Sequence, residues 1–171
     1  MFRGDALHTG AVPGTRAVAT PRLGWRFDTG GPVESTPTVV GGRVYVGSLS
    51  GDLVALDTVR GTLEWRHEAG AKVRASPSVA GGTVFFGADD DRFVALDAAD
   101  GAERWSLPLG AGGQQSSPAV YGDTVFFGAF DEHVYAVSAD SGALRWRYRT
   151  GGGILSSPVV ASGRVIIGSV D

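Results

Sequence analysis

Four tryptophans, Trp25, Trp65, Trp105 and Trp146, stand 40, 40 and 41 residues apart. A fixed period of about 40 residues with one tryptophan per unit restricts the chain to a repeat architecture. The β-propeller, one blade per unit, is the fold that this period predicts. On such a scaffold, function sits in loops and in a central channel, which differ between members.

The units agree in more than their tryptophans. A short alternating segment after each tryptophan ends at Gly30, Gly70, Gly110 or Gly151. A small-residue step into proline follows: Ser35-Thr36-Pro37, Ala75-Ser76-Pro77, Ser116-Ser117-Pro118 and Ser156-Ser157-Pro158. Next come the β-branched and aromatic runs Val44-Tyr45-Val46, Val84-Phe85-Phe86, Val125-Phe126-Phe127 and Val165-Ile166-Ile167. Each complete unit thus carries four strand signals separated by glycine turns. They are expected at 34–40, 43–48, 52–57 and 62–68; at 74–80, 83–88, 92–97 and 102–108; and at 115–121, 124–129, 133–138 and 143–149. The fourth unit supplies only 155–161 and 164–169, and a lone strand at 22–28 carries Trp25. Proline lacks an amide donor and belongs at the first residue of a strand, which suits Pro37, Pro77, Pro118 and Pro158 at the start of innermost strands.

Composition narrows the function classes. The 171 residues hold no cysteine, which excludes disulfides, thiolate metal sites and thiol catalysis. A net charge of −3 without a basic cluster gives no footprint for nucleic acid. No apolar run approaches the roughly 18 residues of a membrane-spanning helix. The N terminus shows no signal-peptide pattern; the cytoplasm is then the default expectation, or the periplasm or exterior for a piece of a longer chain.

The run Ala55-x-Asp57-x-x-x-Gly61-x-x-x-Trp65 recurs as Ala95-x-Asp97-x-x-x-Gly101-x-x-x-Trp105 and as Ala136-x-Ser138-x-x-x-Gly142-x-x-x-Trp146. It resembles the tryptophan-docking motif of PQQ-like propeller repeats, found in quinoprotein alcohol dehydrogenases. Non-enzymatic relatives include an outer-membrane assembly propeller and propeller domains on bacterial serine/threonine kinases. The segment Phe2-Arg3-Gly4-Asp5-x-x-x-Thr9-Gly10 is similar to the lead-in of such repeats. The resemblance implies an outer-strand tryptophan, Trp25 included, stacked between neighbouring blades. An indole hiding about 200 Å² contributes roughly 5 kcal/mol at most. Ser138 replaces the motif aspartate, and weaker local hydrogen bonding is expected there.

The chain divides into a lead-in, 1–21, and an all-β propeller segment, 22–171, with units 25–64, 65–104, 105–145 and an incomplete 146–171. It reads as three complete four-stranded antiparallel blades plus half of a fourth. Trp25 stands alone in this reading, as the outer strand of a closing blade. The chain is then a piece of a larger propeller, or two chains make one ring. Open edges, above all at 164–169, favour self-association.

Candidate chemistry is sparse. Asp89-Asp90-Asp91 reads as a turn before it reads as a cation site. His8, His67 and His133 are scattered, and Arg3-Gly4-Asp5 belongs to the lead-in. The position three before each proline, Glu34, Arg74, Gln115 and Leu155, varies on a constant scaffold. With the following strands innermost, these residues ring one mouth of the channel, with Lys72 and Gln114 nearby, as candidates for ligand or partner binding. No residue matches a quinoprotein catalytic motif, and no metal or PQQ cofactor is expected. The reading is a non-catalytic scaffold for a protein or small-molecule ligand, such as a sensor domain of a larger kinase. The alternatives are a fragment of a quinoprotein dehydrogenase or an outer-membrane assembly propeller.

Overall fold

The computed structural model describes residue 20, residues 22–110 and residues 112–171. The lead-in motif at 2–10 and His8 lie outside these residues. Strands β1 (Thr38–Val40), β2 (Arg43–Gly47), β3 (Asp52–Asp57) and β4 (Leu63–Glu68) form the first blade. The second comprises β5 (Ser78–Ala80), β6 (Thr83–Ala88), β7 (Arg92–Asp97) and β8 (Glu103–Pro108). The third comprises β9 (Ala119–Tyr121), β10 (Thr124–Gly128), β11 (His133–Ser138) and β12 (Leu144–Arg149). A two-stranded sheet, β13 (Val159–Ala161) and β14 (Arg164–Ile166), begins a fourth. Each sheet is an antiparallel meander, and the described residues contain no helix.

Inner strands are apolar on both faces because both faces are covered. Tyr45, Leu53 and Ala55 point forward into a cluster with Val84, Phe86, Val94 and Leu96 of the second blade. Val44, Val46, Val54 and Leu56 point backward onto Trp25 and Phe27. The alternation repeats one blade on, where Phe85, Phe93 and Ala95 meet Val125, Phe127 and Tyr135. Phe93 and Phe127 stack across this seam with ring centroids 3.8 Å apart. Successive side chains of a strand point to opposite faces, so a run such as Val-Phe-Phe serves two seams at once.

The innermost strands are shorter than expected. Each begins directly after its proline, because the preceding residues spend their hydrogen bonds on the adjacent blade (Thr36, Ser76 and Ser117) or on the adjacent strand's glycine (Ser35, Ser116 and Ser156). The strand at 164–169 is likewise trimmed to Arg164–Ile166. The segment 22–28 is not a strand: no ladder partner lies beside it among the described residues. It is held instead by its side chains against the first blade.

Candidate functional site

The seams between blades carry the most ordered chemistry. Trp65 on β4 donates from Nε1 to Ala98 O at 3.1 Å, and Trp105 on β8 donates to Ala139 O at 2.9 Å. Both acceptors follow the third strand of the next blade. A Cβ added to Gly101 would lie 2.7 Å from Trp65 Cε3, and one on Gly142 2.6 Å from Trp105 Cε3. Both glycines have φ near +70°, at 76° and 69°. They are therefore required twice, by the left-handed turn and by the indole lying on it.

This geometry corrects the reading of Trp25. Its Nε1 donates to Thr58 O at 2.9 Å, and its ring covers Gly61, which also has positive φ. Docking runs to the following blade in each case, so Trp25 is engaged and Trp146 is the tryptophan left over. Trp146 is 42% exposed against 7% for Trp65. It lines an apolar groove of about 410 Å³ with Val134, Tyr148, Val165, Ile166 and Ile167. It docks on no glycine here, although it keeps the contact with Phe126 described next.

The motif alanine has a role that the sequence did not disclose. Tyr45, Ala55 and Trp65 lie opposite one another across three strands. The methyl group lets the flanking rings lean together, to a centroid distance of 5.8 Å. Phe85, Ala95 and Trp105 repeat this at 5.9 Å, and Phe126, Ala136 and Trp146 at 5.8 Å. A register shift after each alanine leaves Glu64, Arg104 and Arg145 as bulge residues in the outer strand.

The motif aspartate closes the next turn. Asp57 Oδ1 accepts from Val59 N at 2.9 Å and Arg60 N at 2.6 Å. Those amides hold its carboxyl below the usual range, the bond from Arg60 contributing most. Asp97 accepts from Ala99 N at 2.7 Å and takes the Arg104 guanidinium at 2.7 Å, the main cause of its own lowered pKa. At Ser138 main-chain bonds close the turn: Ser138 N donates to Ala143 O, and Gly142 N to Ser138 O.

Near the axis the pre-proline residues form a relay between blades. Thr36 N donates to Ser76 Oγ at 2.8 Å, Ser76 N to Ser117 Oγ at 3.0 Å, and Ser117 N to Ser157 Oγ at 3.0 Å. Thr38 Oγ1 donates to Pro77 O at 2.6 Å, and Ser78 Oγ to Pro118 O. Hydroxyls recurring beside each proline were the sequence signal for this relay.

Of the four mouth positions, the structure joins two. Arg74 Nη1 lies 2.5 Å from Glu34 Oε2 of the preceding unit, and Arg74 Nε lies 3.0 Å from Asp89 Oδ2. These carboxylates, Asp89 first, raise the Arg74 pKa. Gln115 is half-buried and Leu155 exposed, and neither joins this cluster. The aspartate triplet is indeed a turn. Asp91 has φ 61° and accepts from Gly112 N at 2.9 Å and Gly113 N at 2.6 Å. His67 lies edge-on to Phe86 and His133 bonds to Asp131 O, in separate blades.

No three acidic or histidine side chains converge among the described residues, and the mouth carboxylates Glu34 and Asp89 are both engaged by Arg74.

Fold and seams together define a segment of a β-propeller built from PQQ-like repeats. A family model described as outer membrane protein assembly factor BamB matches residues 15–169, and the chain belongs to that family. BamB from Moraxella catarrhalis superposes with a TM-score of 0.78 at 22% identity, over 85% of this chain and 49% of that one. A quinohemoprotein alcohol dehydrogenase from Pseudomonas putida superposes at 0.65 with 28% identity, over 74% of this chain and 22% of that one. The computationally designed Ika4 protein superposes at 0.78 with 17% identity, over 88% and 93%. The chain thus spans about half the length of BamB and about a fifth of the dehydrogenase. No curated protein is significantly similar to it in sequence.

Proposed function

We propose that the chain is a non-catalytic propeller segment that serves as a scaffold for a protein partner. The observation that carries this reading is the division of labour within the repeat. Recurring residues, the tryptophans, glycines, alanines and pre-proline hydroxyls, are consumed by seams. The residues that differ from unit to unit include Glu34, Arg74, Gln115 and Leu155, the positions read as ringing a channel mouth, where variation serves recognition. The family's description as an assembly factor supports an interaction role over a kinase sensor. Photo-crosslinkers at Arg74 and Leu155 should capture a defined protein partner in cells, and one at Val59, exposed on an outer turn, should not. Equal capture from all three positions would remove the basis for the reading.

The second reading, a piece of a quinoprotein dehydrogenase, draws on the 28% identity to the P. putida enzyme. Titration with PQQ and calcium separates the two. The scaffold reading expects no quinone absorbance change and no dye reduction; stoichiometric binding with dye reduction would establish the enzyme instead. In the same scaffold reading, the open edge of β14 and the exposed Ile166 favour pairing with a second copy. Light scattering at rising concentration should report dimers or larger species, and Ile166→Lys should suppress them. A concentration-independent monomer would end this part of the proposal.

A further inference from the structure

The first two seams differ at five positions around one cavity. In the first seam the Tyr45 hydroxyl donates to Ala98 O, Val40 packs against the apolar cluster, and Arg43 points the same way as Tyr45. The Arg43 guanidinium pairs with Glu64 and lies beside the Tyr45 hydroxyl: burial raises the Tyr45 pKa, and this neighbouring charge opposes the rise. In the second seam the same positions hold Phe85, Ala80 and Thr83, which removes a hydroxyl, the branching of a valine and a cation. On the facing blade, Asp123 and Asp140 stand where the first seam has Gly82 and Ala99. Together with Ala139, these residues line a cavity of about 190 Å³.

The lining offers acceptors. Ala139 O takes one side-chain donor, Trp105, where Ala98 O takes two. Nearby cations are already engaged: Arg104 donates to Thr83 Oγ1 at 2.6 Å and to Asp97 at 2.7 Å, and Arg145 donates to Asp123 at 2.6 Å. Asp140 is then the lining carboxylate left without an ion pair among the described residues. We propose that this cavity binds a small organic cation of the alkylguanidinium class, which takes up the role that Arg43 plays in the first seam. A guanidinium group has five donors and no acceptor, which matches a carbonyl and carboxylates, and a short alkyl arm suits the wall of Phe85 and Ala80. The cavity lies at the turn that ends β5, whereas Arg74 precedes the start of that strand. The proposal therefore stands independently of the partner-binding reading.

Propylguanidinium, the arginine side chain without its backbone, and its neutral counterpart propylurea test it by NMR titration at constant ionic strength. Propylguanidinium should give saturable shifts at the Ala139 and Asp140 amides and the Phe85 ring, with a millimolar Kd for so small a ligand. Propylurea, which lacks the charge, should bind about tenfold more weakly. Phe85→Tyr and Ala80→Val, which restore the residue types of the first seam, should fold and abolish the shifts, and Asp140→Asn should raise the Kd severalfold. A native chain without saturable shifts would overturn the proposal. Equal binding of propylurea, or undiminished binding in both filled variants, would overturn it as well. An acetylated and amidated Gly-Arg-Gly peptide should bind more weakly than the free cation; tighter binding would assign the cavity to an arginine of another chain instead of a small molecule and overturn the proposal as stated.

Discussion

Single atoms decide how well each seam closes. In the first seam Tyr45 Oη donates to Ala98 O at 3.2 Å, beside the Trp65 indole on the same carbonyl. A carbonyl has two lone pairs and accepts both. The second seam has Phe85 in that place, beside a cavity of about 190 Å³ that Ala139 also lines. Phe85→Tyr is expected to supply the missing donor and raise stability by about 0.5–1.5 kcal/mol. Urea unfolding would read the gain, and an unchanged midpoint would show that the hydroxyl cannot reach Ala139. Ser138→Asp follows similar logic in the turn. An aspartate there can accept the two amides that Asp57 accepts in the first blade, for a gain of about 0.5–1.5 kcal/mol.

The same carboxylates set the response to acid. Asp57, Asp97 and Asp123 have lowered pKa values, through backbone amides for the first and through Arg104 and Arg145 for the others. Folding therefore favours their charged forms. The stability that they add is complete above about pH 4, the unfolded value, and is lost as pH falls through the folded values. Melting temperature against pH should bend downward below about pH 4, and Ser138→Asp should steepen the bend. Tyr135 acts at the other end. Burial first, then its bond to Asp131, pushes its pKa to about 12, so its contribution is complete below about pH 10 and fades toward 12.

At the scale of strands and blades, the tryptophan period and the glycine turns made the meander legible, and β2, β3, β4 and their copies in the second and third blades fall within a residue of expectation. The innermost strands were over-extended because the bonds of Thr36, Ser76 and Ser117 to the next blade lie 40 or 41 residues away in sequence. The partner of Trp25 was missed for the same reason: the acceptor, Thr58, follows the third strand of the first blade, 33 residues on. Local pattern identifies an element, whereas the partner across a seam depends on the direction of docking. Gln114 was named near the expected channel mouth, but its full burial over Gly87 shows only when the strand beneath it is seen.

For the whole molecule, stability is a sum of blades and seams, as in repeat proteins whose units contact only their neighbours. The tryptophans therefore form a graded series. Trp65 is buried, bonded to Ala98 and seated on Gly101, with a complete blade on each side. Trp65→Ala should cost about 3–5 kcal/mol, the range for large aromatic truncations in cores. Trp105→Ala should fall at or just below this range, since Trp105 is only partly buried. Trp146→Ala should cost about 1 kcal/mol or less, because it loses the contact with Phe126 but no carbonyl and no glycine seat. Urea melts of the three variants, measured under dilute conditions that limit self-association, would rank them. A cost for Trp146→Ala equal to that for Trp65→Ala would mean that its groove is filled in solution, and the exposed end would have to be redrawn as an interface.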